Sequence, residues 1–129
     1  DYVDPNSDVA RFYLTPPPAD LDATVAYLRA LPREHPPGER WHYNTGETNL
    51  IGVLVARATG RPLAEYLKEK VWDPAGMEGP AFWMLDAQGK EAGGCCVSAS
   101  LRDWGRVGLM ALERGAVPGG QIATARWFE

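Results

Sequence analysis

Apolar residues recur every three or four positions in four segments of the chain, which is the spacing of an amphipathic helix. Most of these segments also begin at a residue that caps or opens a helix and end next to a proline or glycine. The pattern predicts helices over residues 20–31, 48–59 and 62–71, and a fourth that starts near Ser98 or Ser100 and ends at Gly115.

The remaining segments lack this helical spacing. "AFWML" (81–85) and "GGCCVSA" (93–99) are predicted to form two short strands, because "DAQGKEA" between them favours a turn. The first twenty residues end near a triple proline and are predicted to be an irregular arm, and "TARWFE" (124–129) begins another helical turn. Four helices against two short strands make the expected fold class mainly α, or α+β with little β.

Size and composition limit the possible functions. The chain of 129 residues is long enough for a single domain over residues 1–129, and its apolar content of 45 % and charged content of 23 % exclude wholesale disorder. The net charge of −4 comes without a basic run, so nucleic-acid binding is disfavoured. Apolar runs are too short to cross a membrane. Both ends stop within a pattern, so we expect a piece of a longer protein.

The two cysteines, Cys95 and Cys96, are adjacent. Neighbouring residues rarely reach ordinary disulfide geometry, so we predict two free thiols that serve packing. Free thiols favour the cytoplasm. An exported parent protein remains open, because the chain does not begin with Met.

Most candidate chemistry can be set aside on spacing. His35 and His42 do not have the spacing that places two imidazoles on one helix face, so no metal site is predicted. Glycine pairs at 93–94 and 119–120 lack the phosphate-binding patterns. No serine lies in a G-x-S-x-G turn or has a lysine three positions later, so the chain contains no recognisable nucleophile.

A cluster of polar and aromatic residues, "WHYNT" at 41–45, lies directly before the second predicted helix. A phenol titrates near pH ~10 unless cations or donors stabilise the phenolate. An activated tyrosine in such a turn can take a proton from a hydroxyl nucleophile and return it to a leaving group. Tyr43 is therefore either a catalytic candidate or an aromatic residue packed in a loop.

Several blocks of the chain resemble the penicillin-recognising, β-lactamase-related serine hydrolases. This superfamily includes class C β-lactamases, D-alanyl-D-alanine peptidases, family VIII esterases and 6-aminohexanoate-dimer hydrolases. Its central block typically reads "PG-x-x-[FW]-x-Y-[SN]-N", then a helix ending in "TG", then "YL-x-x-x-[IV]-x-x-P-x-GM". "GGCCVSASLRDWGRVGLMALERG" is similar to a later glycine-rich segment and helix, and the opening resembles the 6-aminohexanoate-hydrolase branch. The positions that match the central block are Pro37, Gly38, Trp41, Tyr43, Gly52, Thr59, Gly60, Tyr66, Pro74, Gly76 and Met77.

The resemblance implies a site built from three motifs, of which this chain holds one. Ser-x-x-Lys would supply the nucleophile and its lysine, Tyr-x-Asn the proton-handling tyrosine, and a late motif the opposite wall. Tyr43 matches the tyrosine, held by Trp41, whereas Thr45 replaces the asparagine as a substrate contact. Because that amide is missing, the resemblance favours esterase, amidase or short-oligomer hydrolase activity over β-lactam hydrolysis.

The leading hypothesis is thus a fragment of a serine hydrolase, namely the helical lobe of the fold without most of its α/β lobe. It would act on a small-molecule amide or ester and requires no metal or organic cofactor. The surface left by the missing lobe is expected to expose apolar side chains and to permit self-association. Two alternatives remain: a non-catalytic binding or sensor module of the same fold, and an unrelated helical interaction domain in which Tyr43 is buried.

Overall fold

The computed structural model describes residues 3–129, and most of its regular structure is helical. None of its helices has the length and apolar character needed to cross a membrane. A π-helical turn continues α4 over Lys68–Trp72, and a 3-10 helix spans Ala125–Phe128. The α-helices are α1 (Asp8–Leu14), α2 (Ala23–Ala30), α3 (Thr45–Thr59), α4 (Leu63–Leu67) and α5 (Leu101–Leu112).

Two small antiparallel hairpins complete the fold. β1 (Phe82–Trp83) pairs with β2 (Val97–Ser98), and Phe82 lies opposite Ser98. β3 (Ala116–Val117) pairs with β4 (Gly120–Gln121), and Val117 lies opposite Gly120. The expected fold class, mainly α with little β, is confirmed.

Side-chain caps set where the helices begin. The Asp22 carboxylate accepts hydrogen bonds from the N–H groups of Thr24 and Val25, so α2 starts after Asp22 and not at residue 20, where the predicted helix begins. The Asn44 side chain accepts from the N–H of Glu47, which starts α3 three residues before the predicted Thr48. Caps satisfy N–H groups that have no partner within the helix, so they outweigh the apolar spacing in fixing a helix start.

The irregular arm predicted for the first twenty residues is wrong over Asp8–Leu14. The Ser7 hydroxyl accepts a hydrogen bond from the N–H of Ala10 and caps α1, with Asp8 favourably placed in the first turn. Phe12 packs edge-on against Tyr27 of α2, with ring centroids 5.6 Å apart. The triple proline lies after the end of α1, so it does not prevent this helix from forming.

The prediction of free thiols is also wrong, because Cys95 and Cys96 form a disulfide with each other. Consecutive side chains in an extended segment point to opposite sides. Cys96 has a φ of 75°, in the left-handed region, which breaks this alternation. With the thiols paired, the argument for a cytoplasmic location loses its basis.

The interior of residues 3–129 contains more buried polar than buried apolar residues. The buried apolar residues are Leu63, Ala75 and Ala92. The buried polar residues are Asp22, Thr24, Asn49 and Asp103. Buried polar groups are tolerated only when hydrogen-bonded, so specific polar junctions hold these elements together.

One such junction surrounds Asp103 at the start of α5. Its carboxylate accepts hydrogen bonds from the N–H groups of Glu78 (2.8 Å) and Gly79 (3.1 Å) and from the Ser100 hydroxyl (2.8 Å). Arg106 bridges it to Glu78 through two ion pairs. These hydrogen bonds, that from Glu78 foremost, lower the pKa of Asp103 below its ordinary value of 3.8. Asp103 therefore ties α5 to the turn that follows α4.

A second junction brings the backbone of α3 against residues 92–94. A Cβ atom added at Gly52 would lie 2.8 Å from the Cα of Gly93 and 3.2 Å from Leu63. The Asn49 side chain accepts a hydrogen bond from the N–H of Gly94 at 2.6 Å. Only glycine permits so close an approach, so these residues fix how α3 lies on the loop before β2.

We expect Gly52→Ala to destabilise the chain by about 1–3 kcal/mol, because the new methyl group has no room against Gly93. Gly105→Ala in α5 is the matched control, since a Cβ there meets nothing within 4 Å. The control should stabilise the chain by roughly 0.5–1 kcal/mol through helix propensity. Urea unfolding measures both. Equal stability of the two variants would contradict the close approach.

Asp103→Asn should destabilise the chain at neutral pH, because an amide offers one acceptor oxygen where the carboxylate offers two. The folded-state pKa is lowered, so the carboxylate's contribution is present above its unfolded pKa and is lost as pH falls through the folded pKa. The stability gap between wild type and variant should therefore shrink below about pH 4. Urea midpoints between pH 7 and pH 2 test this, and a gap that stays constant would refute it.

Candidate active site

Tyr43 lies at the end of the exposed loop between α2 and α3, one residue before the cap Asn44. Its side chain is 67 % exposed. Within the part of the chain that the structure describes, its hydroxyl has no hydrogen-bond partner. The hydroxyl is thus open to groups from outside these residues. This placement contradicts the alternative of a helical interaction domain, which required Tyr43 to be buried.

Thr45 is the first residue of α3 and is half-buried. It contributes to a cavity of about 110 Å³ that lies between α1, α2 and the start of α3. Phe12, Tyr27 and Leu28 also line this cavity, so its walls are largely aromatic and aliphatic. The start of α3 therefore presents an exposed phenol beside a small, mostly apolar hollow.

Asn44 and Trp41 take different roles from those expected for the cluster. The side-chain oxygen of Asn44 caps α3, and the backbone carbonyl oxygen of Asn44 accepts a hydrogen bond from the Thr48 hydroxyl. Trp41 was expected to anchor the turn, but its side chain is 85 % exposed. That expectation is wrong within residues 3–129, where no other element covers the loop at this position. Asn44 is thus the residue of the cluster that caps α3, and Tyr43 does not serve as a cap.

A larger cavity of about 390 Å³ lies beside the C-terminal half of α3 and does not include Tyr43. Several of its charged groups have partners within residues 3–129. Lys90 donates a hydrogen bond to Asp22 at 2.8 Å, and Glu91 accepts one from the N–H of Ala64. These contacts hold the walls of the cavity together. The cavity does not contain the tyrosine of the candidate motif, so its size alone does not identify it as the site.

The serine side chains within residues 3–129 have structural positions. The hydroxyl of Ser7 caps α1, and that of Ser100 both donates to and accepts from Asp103. Ser98 lies in β2, paired with Phe82. The hydroxyl groups of Ser7 and Ser100 are therefore used in helix caps.

Sequence reasoning missed Asn49, which lies one helical turn after Thr45. Its side chain is 7 % exposed and its oxygen holds the N–H of Gly94. The sequence did contain an indication of its role, because Asn49 is a polar residue on a helix face that Leu50 and Val53 otherwise occupy. Such a residue must find a partner when buried, and the glycine pair at 93–94 was the place to look for it.

The Beta-lactamase family model matches residues 4–127. The chain belongs to this family. It is 31 % identical over 134 residues to a 6-aminohexanoate-dimer hydrolase of Paenarthrobacter ureafaciens, covering all of this chain and 34 % of that protein. An esterase, EstB of Burkholderia gladioli, is 36 % identical over 63 residues, which is 49 % of this chain and 16 % of the esterase.

The solved structures agree. A putative 6-aminohexanoate-dimer hydrolase from Bacillus anthracis superimposes with a TM-score of 0.80 at 28 % identity, covering 94 % of this chain and 33 % of that one. The expected family and hydrolase fold are thereby confirmed. The chain spans about a third of the length of each of these two 6-aminohexanoate-dimer hydrolases.

Proposed function

We propose that the chain is the helical lobe of a serine hydrolase that cleaves amide or ester bonds through an acyl-enzyme. Tyr43 is its general base and then its general acid. One observation carries the proposal. Tyr43 lies just before α3, its side chain is exposed and its hydroxyl has no partner within residues 3–129, whereas α3 is held by its contacts with residues 92–94. A base must reach its nucleophile, and an exposed phenol on a fixed helix start satisfies that requirement.

In the first half of the reaction, a serine from the rest of the parent attacks the substrate carbonyl carbon and its hydroxyl proton passes to the Tyr43 oxygen. The tetrahedral intermediate collapses, and Tyr43 gives that proton to the leaving amine or alcohol. Water then attacks the acyl ester, with Tyr43 taking its proton and returning it to the serine oxygen. The family's lysine beside the serine would stabilise the phenolate that this cycle requires.

Thr45 and the hollow beside it are proposed to contact the substrate. A threonine hydroxyl offers one donor and two acceptor lone pairs, whereas an asparagine amide reaches further with a carbonyl and two N–H groups. The half-buried Thr45 leaves room for a substrate chain next to Phe12 and Leu28. This arrangement favours an amide or ester with an aliphatic portion, in keeping with the names of the relatives.

The rest of the parent is also proposed to cover the apolar side of α5. Leu101, Trp104, Leu109 and Leu112 are all exposed and fall on one side of this helix. A surface of this kind is normally buried against another part of a protein. Without that cover, the isolated chain is expected to self-associate through the same side chains.

In the full-length protein, Tyr43→Phe should lower turnover of a p-nitrophenyl ester by about two orders of magnitude or more, because only the proton-carrying hydroxyl is lost. Tyr66→Phe removes the same atom from α4, away from the site, and should leave turnover nearly unchanged. Near wild-type turnover of the Tyr43 variant would remove its assigned role. Lack of a Ser-x-x-Lys motif in the parent would favour the binding module of the same fold.

The isolated 129-residue chain should hydrolyse neither nitrocefin nor short-chain p-nitrophenyl esters above background, because it lacks the nucleophile and oxyanion site. It should elute from gel filtration at a size larger than one chain. Titration with a serine-reactive fluorophosphonate is the control. Stoichiometric labelling together with turnover would place a nucleophile within these residues and overturn the proposal that the chain is a partial enzyme.

A further inference from the structure

Asn49 links the first turns of α3 to the loop that carries the disulfide. It lies four residues after Thr45, and its side chain is 7 % exposed. The side-chain oxygen accepts a hydrogen bond from the N–H of Gly94 at 2.6 Å, at the short end of the range for such bonds. The loop residue that it holds is immediately followed by Cys95 and Cys96.

The contact that Asn49 maintains reaches directly to Thr45. A Cβ atom added at Gly94 would lie 2.8 Å from the carbonyl oxygen of Thr45 and 3.1 Å from its methyl group. The same atom would lie 3.0 Å from the Asn49 oxygen. The backbone at Gly94 therefore rests on the first turn of α3, and the Asn49 hydrogen bond fixes their separation.

We propose that Asn49 is a positioning residue for the reaction, a role that rests on the function proposed above. It holds the Tyr43–Thr45 segment in register with the loop at residues 94–96, although it does not touch the substrate. Proton transfer between Tyr43 and a serine depends steeply on distance, and a misplacement of about 1 Å costs roughly 100-fold in rate. A buried side chain one turn from Thr45 thus controls the chemistry through the position of the helix start.

The test uses the full-length protein and Asn49→Leu, which keeps the side-chain volume and removes the acceptor. We expect kcat for a p-nitrophenyl ester to fall by about 10- to 100-fold and KM to change by less than about threefold. Asn49→Asp keeps an acceptor for Gly94 and should restore kcat to within about threefold of wild type. All assays are run well below the melting temperature of each variant.

Gln88→Leu is the matched control, because Gln88 is also an amide whose hydrogen bonds join separate segments. Its side chain accepts from the N–H of Ala23 and donates to the carbonyl oxygens of Pro18 and Leu21. Its loss should lower the melting temperature and leave kcat unchanged. If Asn49→Leu behaves like this control, losing stability with normal kcat, Asn49 is only structural and the proposal is overturned.

A second variant covers the case in which Asn49→Leu does not fold. Gly94→Ala keeps Asn49 but pushes the loop away from Thr45, and it should reproduce the loss of kcat. Normal kcat in a folded Gly94→Ala protein would overturn the positioning role. Tyr43→Phe is assayed alongside. An active Tyr43→Phe enzyme rejects the proposed function itself, whereas an inactive one with normal kcat in both junction variants rejects only the role of Asn49.

Discussion

The close approach of α3 to residues 92–94 is the constraint on which the candidate site depends. Gly52 and Gly93 bring the two backbones together, and Asn49 adds the hydrogen bond to Gly94. Neither the long loop before α3 nor Trp41 supports the helix start, since both are exposed. The position of Tyr43 is therefore set by the contacts of α3, the helix that follows it.

Polar junctions have an unusual share in this architecture. Asp103 joins α5 to the turn after α4, and the Asp22–Lys90 pair with Gln88 joins the start of α2 to the β1–β2 hairpin. Each junction ends on backbone groups of another segment, so it sets a distance and an orientation, which apolar contacts alone do not. With little buried apolar area, such bonds keep the segments in register while most of the hydrophobic surface remains available to another partner.

The sequence predicts those features of the fold and of the candidate site that neighbouring residues determine, and not those that depend on residues far apart in the chain. The start of α5 was predicted near Ser98 or Ser100, and the structure has Ser100 as the cap. The end of α3 at Thr59, before Gly60, was predicted correctly, because capping is decided by neighbouring residues. The start of α3 was missed because the apolar spacing begins only after Thr48, whereas the cap that starts the helix is Asn44. The residues that bind across segments, Asn49 and Asp103, have partners 45 and 25 positions away, and no local pattern indicates such pairings.

The same distinction explains the errors at the disulfide and at Trp41. Cys96 has a left-handed φ of 75°, and its neighbours Gly94 and Cys95 are bound by Asn49 of α3 and by Trp83, which no local pattern in the sequence indicates. The exposure of Trp41 depends on whether another element packs against its loop, and the sequence motif around Trp41 does not indicate this. Tyr43, in contrast, was proposed from its motif, and the structure adds that its side chain is exposed just before α3. A motif proposes the reacting group, whereas a contact that would hold this group in place, such as the hydrogen bond between Asn49 and Gly94, joins distant parts of the chain.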